Sequence, residues 1–308
     1  MIGDAPSPPD FSLPGCDFFS LEMQYESGFR IAREGPTRHY ARKNVGYLLA
    51  IRDGATVIVE TDDDNEPMPG FWRGRSLRHT ASVVSQDGWV NVYRYFTAEA
   101  VWPRGLPLTE VKGRLVPYEQ CPIQDVVCPI QQDLADENPD VDAIYRLVAP
   151  LPIRFRTGRK IALAAGAWCP FNSQNTTFFP EAYELLYLPS LCSFRMTDIW
   201  RSFVAQRILW ENGWMLLFDE PTVIQERNDH DLMKDFRDEI PGYLHNDAIA
   251  RILDALPLKS GSSEIGNNLV RCYEALVGAE LLPSAELGLL HAWLDDMTAV
   301  RPPGARIE

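Results

Sequence analysis

The first part of the chain alternates between helical spacing and short apolar runs, a pattern typical of α/β proteins. Over residues 39–53, apolar residues such as Ala41 and Val45 recur at helical spacing, and Gly54 follows as a stop signal. Residues 57–59 (Val-Ile-Val) are β-branched, which favours a buried strand directly after this helix. Together the two segments predict one helix–turn–strand unit of an α/β sheet.

A second helix is predicted at residues 197–212, where Ile199 and Phe203 belong to an apolar stripe. Thr197 is the predicted N-cap of this helix, because its hydroxyl can accept a hydrogen bond from the first turn. Gly213 is the predicted stop.

The rest of the chain becomes helical towards its C-terminal end. Further elements are predicted as a buried strand at 214–218, a charged helix at 226–239, and helices at 248–256, 268–282 and 285–297. The change in character after His245 predicts an α/β domain at residues 1–245 and a helical C-terminal segment at residues 246–308.

Composition and charge narrow the function classes. A net charge of −14 argues against a nucleic-acid groove, and no apolar run approaches the roughly 20 residues that span a bilayer. The N-terminus shows no signal-peptide pattern, and the six cysteines include no C-x-x-C pair. We therefore expect free thiols, no membrane span and a reduced, cytoplasmic setting.

Three consecutive aspartates, Asp62, Asp63 and Asp64, end the strand predicted at residues 57–59. Adjacent carboxylates repel one another, so a cation among them would stabilise the run, with Asp62 and Asp64 presenting oxygens together. An acidic turn that caps the strand is the alternative. Pro67 stands where an EF-hand loop needs glycine, and the phosphate-loop, dinucleotide and zincin motifs are absent from the sequence. The pattern favours metal-assisted chemistry on a phosphorylated substrate over a binding module.

Blocks spread over most of residues 9–245 resemble the STELLO-like glycosyltransferase family. They read R-K-N-V-G-Y-L-L-A-I at 42–51, T-D-D-D-N at 61–65, D-V-D-A-I-Y-R-L at 140–147, F-N-S-Q-N-T at 171–176 and S-F-R-M-T-D-I-W-R at 193–201. The block before the aspartates is also similar to the reversibly glycosylated polypeptides. The resemblance implies a GT-A-like sheet that binds a nucleotide sugar and is flanked by helices.

A divalent cation, Mn²⁺ or Mg²⁺, is implied at the aspartate run. The resemblance makes Asp62 and Asp64 its ligands, places Asp63 nearby, and makes His230 a candidate for a late metal contact. An exposed position at the start of a helix is the alternative for His230. The cation would hold the diphosphate of a nucleotide sugar donor.

Other site residues follow from the same resemblance. The candidates for binding the donor phosphates or ribose are Arg42 and Lys43, together with Asn44. Asp198 is the candidate general base on the acceptor hydroxyl, and the positive charge of the neighbouring Arg195 and Arg201 would keep it ionised. A carboxylate that only complements the helix dipole is the alternative for Asp198.

The resulting hypothesis is a metal-dependent glycosyltransferase that moves a sugar from a nucleotide diphosphate sugar to an unidentified acceptor. A non-catalytic scaffold or partner of a polysaccharide synthase is one alternative, and a sugar mutase or self-glycosylating protein is another. Relative to GT-A folds, the first strand–helix unit is expected to be missing. Either the natural chain starts upstream, or this copy lacks half of its donor pocket.

Overall fold

The computed structural model describes residues 1–8, 10–226 and 231–300. Its strands are β1 (Ile58–Thr61), β2 (Asn65–Pro67), β3 (Arg78–Val84), β4 (Gly88–Trp89), β5 (Ile123–Val127), β6 (Ile130–Asp136), β7 (Ile161–Leu163), β8 (Ala167–Trp168), β9 (Asn175–Phe178) and β10 (Leu216–Gln225). Eight of the described strands form one mixed sheet in the order β1-β9-β6-β10-β7-β3-β5, with β2 on the far part of β10. The central strands β6 and β10 run parallel.

Helices pack around this sheet. They are α1 (Leu21–Glu26), α2 (Arg30–Glu34), α3 (Lys43–Arg52), α4 (Tyr93–Phe96), α5 (Ala143–Val148), α6 (Thr197–Glu211), α7 (Leu232–Asp254), α8 (Ile265–Gly278) and α9 (Ala285–Val300). The predicted α/β sheet with flanking helices and helices at the C-terminal end is confirmed, and it is consistent with a GT-A-like fold. Before β1, the described residues contribute α1 to α3 and isolated bridges such as Ile2 with Phe19.

The two strongest helix predictions are confirmed, with small shifts at their starts. A 3₁₀ turn, Tyr40–Arg42, precedes α3, and Gly54 follows it with a φ of 87°. Thr197 is not the N-cap of α6 but its first residue, and Met196 holds the cap position. The reason is that another 3₁₀ turn, Phe194–Met196, leads directly into the helix, so no extended residue precedes it.

The C-terminal helices share the main hydrophobic core. Residues of α3, α6, α8 and α9 belong to one buried cluster, and α7 continues unbroken past residue 245. The predicted charged helix therefore extends further than its sequence pattern indicated, although Pro241 lies within it. The division at residue 245 stays a prediction. None of the described helices combines the length and the hydropathy needed to cross a bilayer.

The packing between α7 and the start of α6 allows a stability test. A Cβ atom on Gly242 in α7 would overlap the Met196 sulfur, whereas one on the exposed Gly288 in α9 would meet nothing within 4 Å. Gly242→Ala should lower the free energy of unfolding by about 1–3 kcal/mol, because the overpacking outweighs the better helix propensity of alanine. Gly288→Ala should raise it by about 0.5 kcal/mol. Urea unfolding measures both, and equal effects of the two variants would contradict the packing.

Candidate functional site

The three aspartates lie in the turn between β1 and β2. Asp63 is exposed, whereas Asp62 and Asp64 are half-buried. The two strands join different parts of the sheet, since β1 pairs with β9 and β2 pairs with β10. This places Gln225, at the end of β10, where its Nε2 donates to Asp64 Oδ1 at 3.0 Å. The aspartate run is thus anchored at both ends, as expected of a site at the edge of a sheet.

Lys43, the first residue of α3, inserts its ammonium group beside this turn. Lys43 Nζ lies 2.8 Å from Asp62 Oδ1 and 2.6 Å from the Tyr40 hydroxyl oxygen. The carbonyl oxygens of Thr61 and Ser173 are 3.4 Å and 3.5 Å away. Four oxygens of three chemical kinds therefore surround one positive charge.

Tyr40 connects this cation position to the interior. Its hydroxyl donates to Asp62 Oδ1 at 2.7 Å and lies 2.5 Å from Ser173 Oγ. Ser173 Oγ is 3.3 Å from Asp198 Oδ2. Burial, and next the charge of Asp62, raise the pKa of Tyr40 well above its usual value, so the phenol stays protonated.

The number of hydroxyl protons limits which hydrogen bonds from Asp62 through Tyr40 and Ser173 to Asp198 can exist at the same time. Tyr40 and Ser173 have one hydroxyl proton each, yet three contacts follow in series from Asp62 to Asp198. The Ser173–Asp198 contact is the longest, at 3.3 Å. The Tyr40 hydroxyl donates to Asp62, the Ser173 hydroxyl can donate to Tyr40 or to Asp198 but not to both, and the Ser173 backbone N–H donates to Asp198 at 3.3 Å.

Asp198 is buried in an ion pair with Arg104. Arg104 donates from Nη1 and Nη2 to the two Asp198 oxygens at 3.0 Å and 2.8 Å. Its Nε and Nη2 also donate to the two oxygens of Asp140, both at 2.8 Å. Burial alone would raise the pKa of Asp198, but the Arg104 guanidinium outweighs it and lowers the pKa to about 2.

Arg195 and Arg201 do not bind Asp198 directly. Arg201 donates to both oxygens of Glu60 on β1, at 2.6 Å and 3.2 Å. Arg195 pairs with Glu239 on α7 at 2.9 Å. Their charges still help to lower the pKa of Asp198, after the larger effect of Arg104. The sequence thus predicted the ionised state of Asp198 but not the residue that binds it.

Arg42 and Asn44 lie beside Lys43 in the chain but contact other parts of the structure. Arg42 is buried, and its guanidinium donates to Gln24 and to the carbonyl of Ala32. The Asn44 amide exchanges two hydrogen bonds of 2.9 Å with the backbone of Leu188. Of the three residues predicted to bind the donor, the structure brings only Lys43 to the aspartates.

The turn offers two half-buried carboxylates, Asp62 and Asp64, as candidate oxygen ligands for a divalent cation. Within the described ranges, no group of three or more His, Cys, Asp and Glu side chains is arranged to hold a metal ion. Mg²⁺ sites commonly use one or two carboxylates together with substrate phosphates. Asp62 and Asp64 supply two carboxylates, and the Lys43 ammonium already occupies a position among carboxylate and carbonyl oxygens. His230 lies outside the described residues.

Arg73, Arg75 and Lys160 form a separate cluster of basic side chains. Arg73 binds Asp133 and Asp219, two buried residues of the neighbouring strands β6 and β10, at 3.1 Å and 2.9 Å. Arg75 adds a second contact to Asp133, and Lys160 pairs with Asp219 at 2.6 Å. These cations are therefore neutralised by the sheet.

Four residues that connect Asp62 to the buried ion pair of Asp198 were not predicted from the sequence: Tyr40, Arg104, Asp140 and Ser173. Asp140 and Ser173 open or lie within blocks that carry the family resemblance, so a signal existed although no role followed from it. Arg104 stands in an irregular Pro-Arg-Gly stretch, and its partner Asp198 is 94 residues away. Only the folded structure brings the two together.

The amino-acid sequence is similar to those of known proteins along most of its length. The family model described as STELLO glycosyltransferases matches residues 195–303. Two Arabidopsis thaliana proteins, "Probable glycosyltransferase STELLO2" and "Probable glycosyltransferase STELLO1", are each 30% identical to this chain over 322 aligned residues. The alignments cover 97% of this chain and 41% of each relative, so the chain spans about two fifths of the relatives' length.

The buried ion pair predicts how stability depends on pH. The pKa of Asp198 is about 2, below its ordinary value of 3.8, so the folded state binds fewer protons at this residue than the unfolded state does. The resulting stability, about 2 kcal/mol, is complete above the unfolded pKa and is lost as the pH falls towards 2. Asp198→Asn should flatten the pH dependence of the unfolding free energy between pH 5 and pH 2 by about this amount.

Urea unfolding at several pH values measures this effect. The matched control is Asp125→Asn, which removes an exposed carboxylate on β5. An unchanged slope in Asp198→Asn would contradict the assigned ion pair.

Proposed function

The chain belongs to a STELLO-like glycosyltransferase family, and we propose from this premise that it transfers a sugar from a nucleotide diphosphate sugar to an acceptor. The observation that carries the proposal is the position of the Lys43 ammonium group, which is surrounded by oxygens and lies 2.8 Å from Asp62 Oδ1. It lies at the end of a strand in an α/β sheet, where such folds bind ligands. Asp64, two residues along the turn, supplies a second carboxylate.

In this proposal Asp62 and Asp64 hold Mn²⁺ or Mg²⁺. The bound cation would neutralise charge on the donor diphosphate as it departs. Lys43 adds a positive charge at the first residue of α3, near the positive end of the helix dipole. Asp63 is exposed in the same turn, so its carboxylate would contact the part of the donor that faces the solvent.

Asp198 acts in this scheme as a positioning residue. Arg104 contacts both of its oxygens, and its pKa of about 2 makes it a weak acceptor of a proton at neutral pH. The Ser173 backbone N–H donates to the Asp198 carboxylate. This hydrogen bond holds Ser173 in place for the contact of its hydroxyl with Tyr40. The general-base role of Asp198, with Arg195 and Arg201 as its supports, stays a prediction that this geometry does not favour.

Replacing the turn carboxylates tests the proposed donor site. Asp62→Asn and Asp64→Asn should each weaken Mn²⁺-dependent binding of nucleoside diphosphates by about tenfold or more, because each removes one anionic ligand of the cation. Isothermal titration calorimetry with and without Mn²⁺ measures the affinity. The control is Asp53→Asn, which removes an exposed carboxylate just beyond the other end of α3.

The outcomes separate metal binding from general effects on the fold. Asp53→Asn should bind the nucleotide as tightly as the original chain. Unchanged Mn²⁺-dependent binding in both turn variants would show that these carboxylates are not metal ligands. Loss of binding in all three variants would mean that the readout reports stability and not the site.

A further inference from the structure

We propose that Lys43 is a built-in counter-cation, which neutralises Asp62 in the ligand-free protein and moves to the donor diphosphate when a divalent cation binds. The inference rests on the proposed function, because it concerns the same donor site. It adds a competition between a side chain and a metal ion for one carboxylate. Lys43 would thus have one anionic partner in each state, Asp62 in the ligand-free protein and the diphosphate in the metal-bound protein.

The contacts of the ammonium group show that oxygens of several kinds line its position. An ammonium group has three protons, but Lys43 Nζ has four oxygens within 3.5 Å. Two of these are carbonyl oxygens at 3.4 Å and 3.5 Å, longer than a normal hydrogen bond. A divalent ion has no directional donors and can use carboxylate and carbonyl oxygens together.

A divalent ion and the ammonium group cannot share this position. Both are positive, and Asp62 Oδ1 is already 2.8 Å from Lys43 Nζ. Repulsion between like charges this close is large even in a partly solvated site. A metal ion that binds Asp62 at Oδ1 would therefore displace the ammonium from that oxygen.

The Lys43 side chain has room to make this movement. It is 24% exposed and Asp62 is 28% exposed, whereas the buried pair of Arg201 and Glu60 is only 1% and 2% exposed. Lysine carries its charge on a flexible four-carbon stem, so the ammonium can move while α3 stays in place. The Tyr40 ring, with its centroid 4.4 Å from Nζ, offers a cation–π surface along the way.

A bound donor would give the released ammonium a new anionic partner. A diphosphate held by the metal brings negative oxygens to the same turn. Lys43 would then compensate the phosphate charge instead of the Asp62 charge. The exchange links the two binding events, because the metal frees the lysine that the diphosphate needs.

Substitution of Lys43 should therefore change two affinities in opposite directions. Lys43→Met removes the competing charge, so Mn²⁺ binding without nucleotide should become about tenfold tighter. In saturating Mn²⁺, binding of a nucleoside diphosphate should become about tenfold weaker, because a phosphate contact is lost. Electron paramagnetic resonance of free Mn²⁺ measures the first affinity, and calorimetry with UDP and GDP measures the second.

Two further variants make the test specific. Lys43→Gln keeps a polar group for the surrounding oxygens and should behave as Lys43→Met does if charge is the cause. Lys259→Met is the matched control. Lys259 is exposed and lies near the C-terminal end of α6. The proposed site lies near the other end of this helix, where Asp198 is located. Lys259→Met should leave both affinities unchanged, and circular dichroism checks that every variant is folded.

Each result counts for or against the inference. Unchanged or weaker Mn²⁺ binding in both folded Lys43 variants would overturn it, even if the original chain binds metal and nucleotide as proposed. Tighter Mn²⁺ binding with no nucleotide binding in any variant would support the counter-cation role but contradict the donor-site function. If none of the variants binds Mn²⁺, both the inference and the metal role fail.

Discussion

The buried ion pair of Arg104 with Asp140 and Asp198 is the interaction on which the rest of the site depends. One guanidinium satisfies two carboxylates that come from different parts of the chain, one next to α5 and one in the first turn of α6. Loss of the arginine would leave two buried carboxylates without their main counter-charge, which costs far more than a surface ion pair. The triad therefore fixes the start of α6, where Asp198 also accepts a hydrogen bond from the Ser173 backbone N–H.

From this rigid interior the polar chain becomes progressively more exposed. Ser173 and Tyr40 carry it from Asp198 to Asp62, where solvent reaches both the carboxylate and the Lys43 ammonium. The buried residues thus have fixed partners in the interior, whereas the partly exposed side chains at the turn between β1 and β2 can adjust. Such an order suits the proposed site, in which the cation position would change its occupant while the supporting residues keep their partners.

Local sequence patterns predicted much of the fold and part of the site. The helix α3, the helix α6 and the aspartate turn each lie within one short segment, so spacing and turn chemistry were sufficient. Arg42 and Asn44 were assigned to the donor, together with Lys43, from the family resemblance, but burial directs them to Gln24 and to Leu188. Arg104 could not be found, because its contacts with Asp140 and Asp198 join residues 36 and 94 positions apart.

The central claim is that the aspartate turn binds a nucleotide diphosphate through a divalent cation. A thermal shift experiment on the original chain, with Mn²⁺ and a panel of nucleoside diphosphates, tests it most directly. We expect one nucleotide to raise the melting temperature only when Mn²⁺ is present, because a ligand that binds the folded state stabilises it by mass action. If no nucleotide raises the melting temperature with Mn²⁺, or if one does so equally without it, the account of this site is contradicted.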